Sequence, residues 1–324
     1  MSPEPQAPRS APESTPGPAS AGTATAQAHG AGARGENVIH NIGYRNYDGP
    51  RLGRGYARTS LFEQSLRGAY GLGRSAKSKV LPMILFAVMC VPAAIVVAVT
   101  VFTEAKQLPV GYSAYVIQMQ PVIGIYIAAM APQAVSLDLR FRVVPLYFSR
   151  PIERGDYVGA KYAALSAAIF IFTGASVVIL YVGALLAKLD FGDETKDFAL
   201  GMVCCLVFSV LHAGIGLVAA AATPRRGFGV AAIIAVLTIP YMLISALQAI
   251  VSSQDNTAAI GWLGLGSPGS LIDGLQSKLL GGRNAFPLGQ ELTDAQVSVY
   301  VALIAVLIAG TYALLLRRYR KAGL

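Results

Sequence analysis

Charged and aromatic side chains alternate in a short stretch between two long apolar runs, at residues 135–157. Membrane topology alone would need only the arginines of this stretch. Interleaved Leu, Tyr and Phe residues are typical of protein interfaces, whose cores are enriched in aromatics and Arg. We therefore predict a compact, proline-bounded loop that docks on another protein. A carboxylate at the end of this loop is also expected to cap the N-terminus of the following helix. The predicted contact residues are Asp138, Arg140, Arg142, Arg150, Arg154 and Asp156, the last of which is the helix-capping carboxylate.

A simpler interpretation of these arginines stays open. Basic residues beside a membrane hold topology and attract anionic lipid, each contributing about 1 kcal/mol near the surface. Reversing the charges of Arg150 and Arg154 would separate the two interpretations. Docking predicts the loss of a co-purifying protein, whereas a purely topological role predicts no loss.

Polar residues inside the apolar runs are candidates for a transport path. An ionisable residue within a membrane is a functional candidate by default, and His212 is the clearest case. Gln118 and Gln120 lie in the second run and invite the same interpretation. The alternative is that these side chains, with Gln133, form hydrogen bonds that hold neighbouring helices together. The residue types alone leave both interpretations open.

Several kinds of chemistry lack their motifs in this sequence. The dipeptide Gly-Lys of a phosphate-binding loop does not occur, so we expect no ATP hydrolysis by this chain and no catalytic centre. The three cysteines have no metal-ligand spacing, and we expect neither a metal site nor a disulfide framework. The apolar runs also lack the midplane carboxylates that ion-coupled carriers use, so transport would need another energy source.

The elements that position these residues are apolar. Of the 324 residues 54% are hydrophobic and 13% are charged, and the mean hydropathy is +0.53. A soluble domain is about a quarter charged. Each of six runs reaches the ~20 residues that cross a bilayer as a helix, which predicts an all-α integral membrane fold. The predicted spans are 80–103, 113–134, 158–186, 198–222, 229–252 and 297–316, with kinks at Pro82, Pro92, Pro121 and Pro240.

The basic residues of the loops predict the topology. Eighteen Lys and Arg residues lie in one set of segments, which are residues 36–79, 135–157, 223–228 and the tail from Arg317. The alternate loops, 104–112, 187–197 and 253–296, contain five. Because even numbers of crossings separate the basic segments, one orientation satisfies every loop. The positive-inside rule places both termini in the cytosol, and the net charge of +9 then reflects topology rather than nucleic-acid binding.

The segment before the first span is predicted to have two parts. Residues 1–35 are rich in Pro, Ala, Ser and Gly and should form a disordered cytosolic tail. Residues 36–79 are basic and contain an amphipathic helix that starts near Ser60, whose spacing to Glu63 fits a capping box. This helix is expected to lie in the membrane interface, and the alternative is a basic linker without structure. Its apolar residues on one face are Phe62, Leu66, Ala69 and Tyr70, and Arg67 lies off that face.

The loop that follows the second span resembles a family motif. Asp138, the Ser149-Arg150-Pro151 turn, Asp156-Tyr157 and Lys161 are similar to the loop of ABC exporter permeases of type 2. The resemblance extends from about residue 44 to the end, and includes the six-helix layout and a long loop between spans five and six. It implies that Ser149, Pro151 and Tyr157 belong to a coupling helix that an ATPase receives, and that residues 62–70 belong to a connecting helix.

The resemblance implies more about the fold and the assembly. Such permeases pair as dimers, either of two copies or of paralogues, on two cytosolic ATPase subunits that hold ATP and Mg²⁺. Short helices in the long outer loop would dip back into the membrane, where Ser270 and Asp273 have capping spacing. A plain extracellular linker is the alternative for this loop.

The function that follows is the permease subunit of an exporter in the plasma membrane, powered by a separate ATPase. An uncharged path favours a hydrophobic or amphipathic cargo. The alternative function is a membrane anchor or sensor that transports nothing and recruits a cytosolic partner through the same basic loops. An intramembrane enzyme is disfavoured because catalytic groups are missing.

Overall fold

The computed structural model of the protein describes residues 49–50, 52–141, 143–149, 152–223, 226–254, 257–280, 282, 286–287 and 291–322. The described residues from Leu52 onward form one compact unit. The predicted tail, residues 1–35, lies outside the described residues. The α-helices of the described residues are α1 Arg54–Ala69, α2 Ala76–Phe102, α3 Tyr112–Gln118, α4 Gln120–Ala131, α5 Leu137–Arg140, α6 Val144–Phe148, α7 Arg154–Leu186, α8 Phe191–Ala222, α9 Arg226–Ser252, α10 Thr257–Leu263, α11 Pro268–Leu279 and α12 Asp294–Ala322.

Six helical segments are long and apolar enough to cross a membrane, as predicted. They are α2, the segment from α4 to α5, α7, α8, α9 and α12. Half or more of the apolar stretch is buried in α4–α5, α7 and α8, against 22% in α2, 17% in α9 and 22% in α12. The first three therefore form the centre of the bundle, and the other three present most of their apolar surface outward.

The central helix α7 is longer than a bilayer requires. Its 33 residues extend over about 50 Å, whereas the hydrocarbon core is about 30 Å thick. It packs against α1, α2, α8 and α12. Its first turns meet α5 through Asp138 and α12 through Tyr319, and Ser136 beside α5 donates a hydrogen bond to the carbonyl of Ala220 near the end of α8. We call this end of the bundle the loop end.

The second predicted span is not one continuous helix. The chain breaks at Met119 between α3 and α4, and Pro121 stands in the first turn of α4 rather than inside a kinked helix. A proline is tolerated there because its missing N–H would have no partner in the first turn. Beyond α4 a π-helical turn, Pro132–Ser136, carries the chain into α5, so the span extends to Arg140. In contrast, Pro82 and Pro92 lie within α2, and Pro240 lies within α9.

A tight glycine turn joins α1 to α2. Gly71 and Gly73 have φ angles of 68° and 79°, in the left-handed region that favours glycine. A Cβ atom at Gly71 would also lie 2.4 Å from the carbonyl oxygen of Ser78. Both observations explain why this turn needs glycine, and why α1 ends close to the start of the first span.

The connection between α9 and α12 contains the two short helices α10 and α11. The predicted cap of α11 is corrected: Ser267 is the N-cap and accepts from the backbone N–H of Ser270, which lies inside the helix. Asp273 is buried and accepts from the amide of Gln276, rather than capping. Helix α11 packs against α3, α8, α9 and α12. Its entry into the membrane stays a prediction.

Candidate functional site

A buried polar cluster holds the predicted loop at the loop end. The Tyr157 hydroxyl donates to Asp138 over 2.5 Å, and Lys161 Nζ lies 3.1 Å from the same carboxylate. The side chains of Lys161 and Asp138 are 11% and 16% exposed, so this ion pair is largely shielded from water. Helix α5 is thereby joined to the first turns of α7. The pairing accounts for a lysine in an apolar helix, because buried charges are normally paired.

Aromatic rings surround the same tyrosine. The Tyr157 ring is fully buried, and its centroid lies 5.3 Å from that of Tyr147 and 6.2 Å from that of Phe148 on α6. The ring centroid of Tyr319 of α12 lies 5.0 Å from that of Tyr157. Rings at such separations attract one another beyond their burial. Tyr157 therefore joins α6 of the loop to two membrane helices at once.

The start of α7 is also fixed to α1. Glu153 is the N-cap and forms a capping box with Asp156, whose carboxylate accepts from the Glu153 N–H at 3.3 Å. Arg54 donates to Asp156 over 2.5 Å and forms an ion pair with Glu153, while Arg58 lies 3.9 Å from Asp156. The hydrogen bond to Asp156 raises the pKa of the Arg54 guanidinium above its ordinary value. Asp156 thus lies at the helix N-terminus as predicted, but the N-cap is Glu153.

Helix α1 differs from the predicted interfacial helix in its start and its environment. It begins at Arg54, and Ser60 lies inside it. Its apolar residues pack against protein rather than lipid: Leu61 and Ala69 are buried, and Phe62 and Leu66 contact the core. The Tyr70 hydroxyl likewise contacts protein, since it donates to the Ala168 carbonyl of α7 at 2.7 Å. Glu63 and Arg67 form an exposed ion pair within α1 at 2.5 Å.

A hollow of about 770 Å³ opens beside the loop at the loop end. It mixes apolar side chains with charges of both signs, and the guanidinium of Arg154 lies 5.9 Å from the Phe148 ring. Next to it α6 presents Leu146, which is 68% exposed. We call this the docking hollow; its lining residues are Pro145, Phe148, Ser149, Ile152, Glu153, Arg154, Gly155, Leu316 and Arg320.

The predicted loop residues separate into three groups. Asp138, Asp156 and Tyr157 are largely buried and join helices, whereas Ser149 and Arg154 line the docking hollow. Arg140 lines a different hollow, with residues of α8 and α12. The predicted residues Arg142, Arg150 and Pro151 lie outside the described residues.

The candidate path residues are not joined by hydrogen bonds in the part of the chain that the structure describes. Gln118 is exposed at the end of α3, and Gln120 is buried with its amide 3.5 Å from the Leu237 carbonyl of α9. His212 is buried on α8, where its Nδ1 lies 2.9 Å from the carbonyl of Phe208 and its ring stacks on that phenylalanine. Its Nε2 has no hydrogen-bond partner in the structure.

The basic residues that bind the start of α7 were not among the predicted site residues. Arg54 and Arg58 are four residues apart and therefore share one helical face, which was the available signal. It was missed because the helix was expected to start six residues later. Tyr319 gave no such signal, since its approach to Tyr157 depends on the packing of α12 against α7.

Comparison with known families gives the identity of this fold. The family described as ABC-2 family transporter protein matches residues 105–324, which is two thirds of the chain. No curated protein matches the chain. The matched region contains the buried Asp138–Tyr157–Lys161 cluster, the docking hollow and five of the six spans. The chain therefore belongs to the ABC-2 transporter family, as a multi-pass membrane permease component.

Proposed function

We propose that this chain is the permease subunit of an ATP-driven exporter in the plasma membrane. It would move a hydrophobic or amphipathic cargo, using ATP hydrolysed by a separate cytosolic ATPase that holds the nucleotide and Mg²⁺. The loop end would face the cytosol, with both termini on that side. Members of the family generally work with a cytosolic ABC ATPase, which supports the assignment.

One observation carries the proposal: the loop is joined to membrane helices through buried contacts. Tyr157 contacts both the aromatic Tyr147 of α6 and Tyr319 of α12. Asp138 joins α5 to Lys161 of α7. A partner that pushes on α6 would therefore displace α7 and α12, since closely packed side chains transmit displacement rather than absorb it. This is the mechanical connection that a permease needs when its energy source is another protein.

The docking hollow would receive the ATPase. Its mixture of apolar and charged lining residues suits a protein partner, because interfaces combine a buried apolar centre with a polar rim. Leu146 and Phe141, 68% and 65% exposed, would be covered in the complex. Ser149 and Arg154 would contribute polar contacts. Arg142, Arg150 and Pro151 are proposed contacts on the sequence pattern alone.

The assembly would contain a second permease. Helices α2 and α9 both pack against α4, and both direct most of their apolar surface outward. Large apolar faces of this kind suit a partner helix as well as lipid. We propose that a second copy or a paralogue covers part of them. The cargo would pass between the two, close to α4, where the exposed Gln118 at the end of α3 would line the path. Gln120 of α4 and His212 of the neighbouring α8 are further candidates by residue type, although both are buried within this chain.

Replacing an exposed apolar residue on α6 tests the docking proposal. Leu146→Glu should abolish co-purification of the ATPase with the tagged chain from its native membrane, because a carboxylate would be buried in the interface. Phe191→Glu is the matched control: Phe191 is 66% exposed at the opposite end of the bundle and should leave the yield unchanged. An undiminished ATPase yield with Leu146→Glu, at equal membrane insertion, would show that this face does not dock the ATPase.

A further inference from the structure

A second hollow at the loop end lies apart from the docking hollow and is lined by basic residues. It encloses about 240 Å³ between the π-helical turn with α5, the end of α8 and the end of α12. Arg140, Arg318 and Lys321 line it, and its other lining residues are Ser136, Leu139, Ala221 and Thr223. No acidic residue is among them. We call it the basic hollow.

Among the described residues the three cations have no carboxylate partner, although the guanidinium carbon of Arg140 lies 5.7 Å from the centre of the neighbouring Phe141 ring. In the ranges that the structure describes, Arg140, Arg318 and Lys321 take part in no ion pair. The carboxylate nearest in sequence to Arg140, that of Asp138, is already bound by Lys161 and Tyr157. Three like charges around one small volume repel one another, and an anion between them would relieve that repulsion.

Two carbonyls in the last turn of α8 have hydroxyl donors. Ser136 donates its hydroxyl to the Ala220 carbonyl at 2.7 Å, and Thr223 donates to the Ala219 carbonyl at 2.9 Å. The carbonyls of Ala219 and Ala220 are therefore bonded without the three cations. These two hydroxyls have used their protons, so recognition in the basic hollow depends on positive charge.

The position of the hollow favours a lipid as the source of the anion. On α12, Leu314, Arg318 and Lys321 are spaced i, i+4 and i+7 and share one face. Leu314 is 53% exposed, so this face changes from apolar to basic within one turn at the end of a span. A phospholipid has the same order of apolar and charged parts, because its acyl chain lies below its phosphate. Basic pockets between membrane helices near the cytosolic surface are known to suit such headgroups.

We propose that the basic hollow binds the phosphate of an anionic phospholipid headgroup, with an acyl chain lying along Leu314. The bound lipid would bridge α5, α8 and α12, whose ends form the hollow. Arg140 then has a role in lipid binding, distinct from the docking role of Arg154. This inference does not depend on the exporter proposal.

Binding of a labelled lipid to the purified full chain tests the proposal. The probes are phosphatidylglycerol with a fluorescent acyl chain and phosphatidylcholine with the same label, titrated by thermophoresis. Arg318→Gln with Lys321→Gln should weaken phosphatidylglycerol binding about thirtyfold, which is about 2 kcal/mol and the contribution of two basic residues near a membrane. Phosphatidylcholine binding should not change. The conservative pair Arg318→Lys with Lys321→Arg should retain most of the affinity, which excludes misfolding as the cause.

The matched control removes the same charge from residues that do not line the basic hollow. Arg317 and Lys79 are exposed and do not line the basic hollow, so Arg317→Gln with Lys79→Gln should weaken binding by no more than about threefold. An equal loss in this control would overturn the proposal in favour of diffuse surface charge. Displacement of the lipid by inorganic phosphate at equal concentration would assign the hollow to a free anion. Loss of a co-purifying ATPase in the Arg318 and Lys321 variant, with lipid binding intact, would assign it to a protein interface.

Discussion

At the residue scale, Lys161 shows how one charge is placed within an apolar helix. It lies 3.1 Å from Asp138 and 5.6 Å from the centre of the Tyr157 ring. A buried ion pair often contributes little net stability against an apolar replacement, because desolvation offsets attraction. Removal of one partner is costly, since it leaves the other charge buried and unpaired. The pair therefore fixes α5 on α7 more than it stabilises the fold.

Mutation of this pair should show strong coupling. Lys161→Met should lower the free energy of unfolding by about 3 kcal/mol, and Asp138→Asn with Lys161→Met should recover part of that loss. The double-mutant cycle should give a coupling energy of about 1–3 kcal/mol, measured by denaturation in nanodiscs.

The chain provides a matched control for this cycle. Lys278 and Glu291 are also 3.1 Å apart, but their side chains are 35% and 57% exposed. Their coupling should be below about 1 kcal/mol because water screens exposed pairs. Similar coupling energies in both cycles would contradict the importance of burial at Lys161.

At the element scale, α1 is held on α7 at two points. Its beginning is held by Arg54 and Arg58 on Asp156, and its end by Tyr70, whose hydroxyl donates to Ala168. Burial raises the pKa of Tyr70 to about 12, so this donor keeps its proton throughout the physiological range. The first attachment is electrostatic and partly exposed, whereas the second is buried.

Loss of the first attachment should loosen only half of α1. Arg54→Ala with Arg58→Ala should speed backbone hydrogen exchange near residues 54–61 and leave residues 62–70 unchanged. Overall stability should fall by less than about 1 kcal/mol, because partly exposed ion pairs contribute little. Arg67→Ala is the control, since Arg67 pairs with Glu63 inside α1. Exchange that is unchanged in the double variant would show that Asp156 does not hold α1.

The sequence predicted the elements better than their contacts. Six spans follow from apolar length, and the amphipathic pattern of residues 62–70 revealed α1. The same pattern did not distinguish a face that meets lipid from one that meets protein, because both are apolar. The break at Met119 was not predicted because Pro121 was interpreted as a kink inside one helix, whereas it lies in the first turn of α4.

At the scale of the whole molecule, the loop end is divided between two kinds of surface. The docking hollow combines aromatic, acidic and basic residues, and the basic hollow has only positive charge. The loop motif predicted one interface that contained both Arg140 and Arg154. The two arginines are separated because Arg140 ends α5 beside α8 and α12, whereas Arg154 begins α7. The spacing of residues along the loop does not predict how these helices pack.

We propose that an ATPase drives this permease through the loop. The most direct test is vanadate-sensitive ATP hydrolysis by material purified with the tagged chain in nanodiscs. We expect recovery of a cytosolic ATPase with vanadate-sensitive turnover, and loss of that turnover from the purified material when the chain carries Leu146→Glu. Recovery of the chain alone, or with a partner that hydrolyses no ATP, would contradict the account and favour a membrane anchor that recruits its partner through this loop.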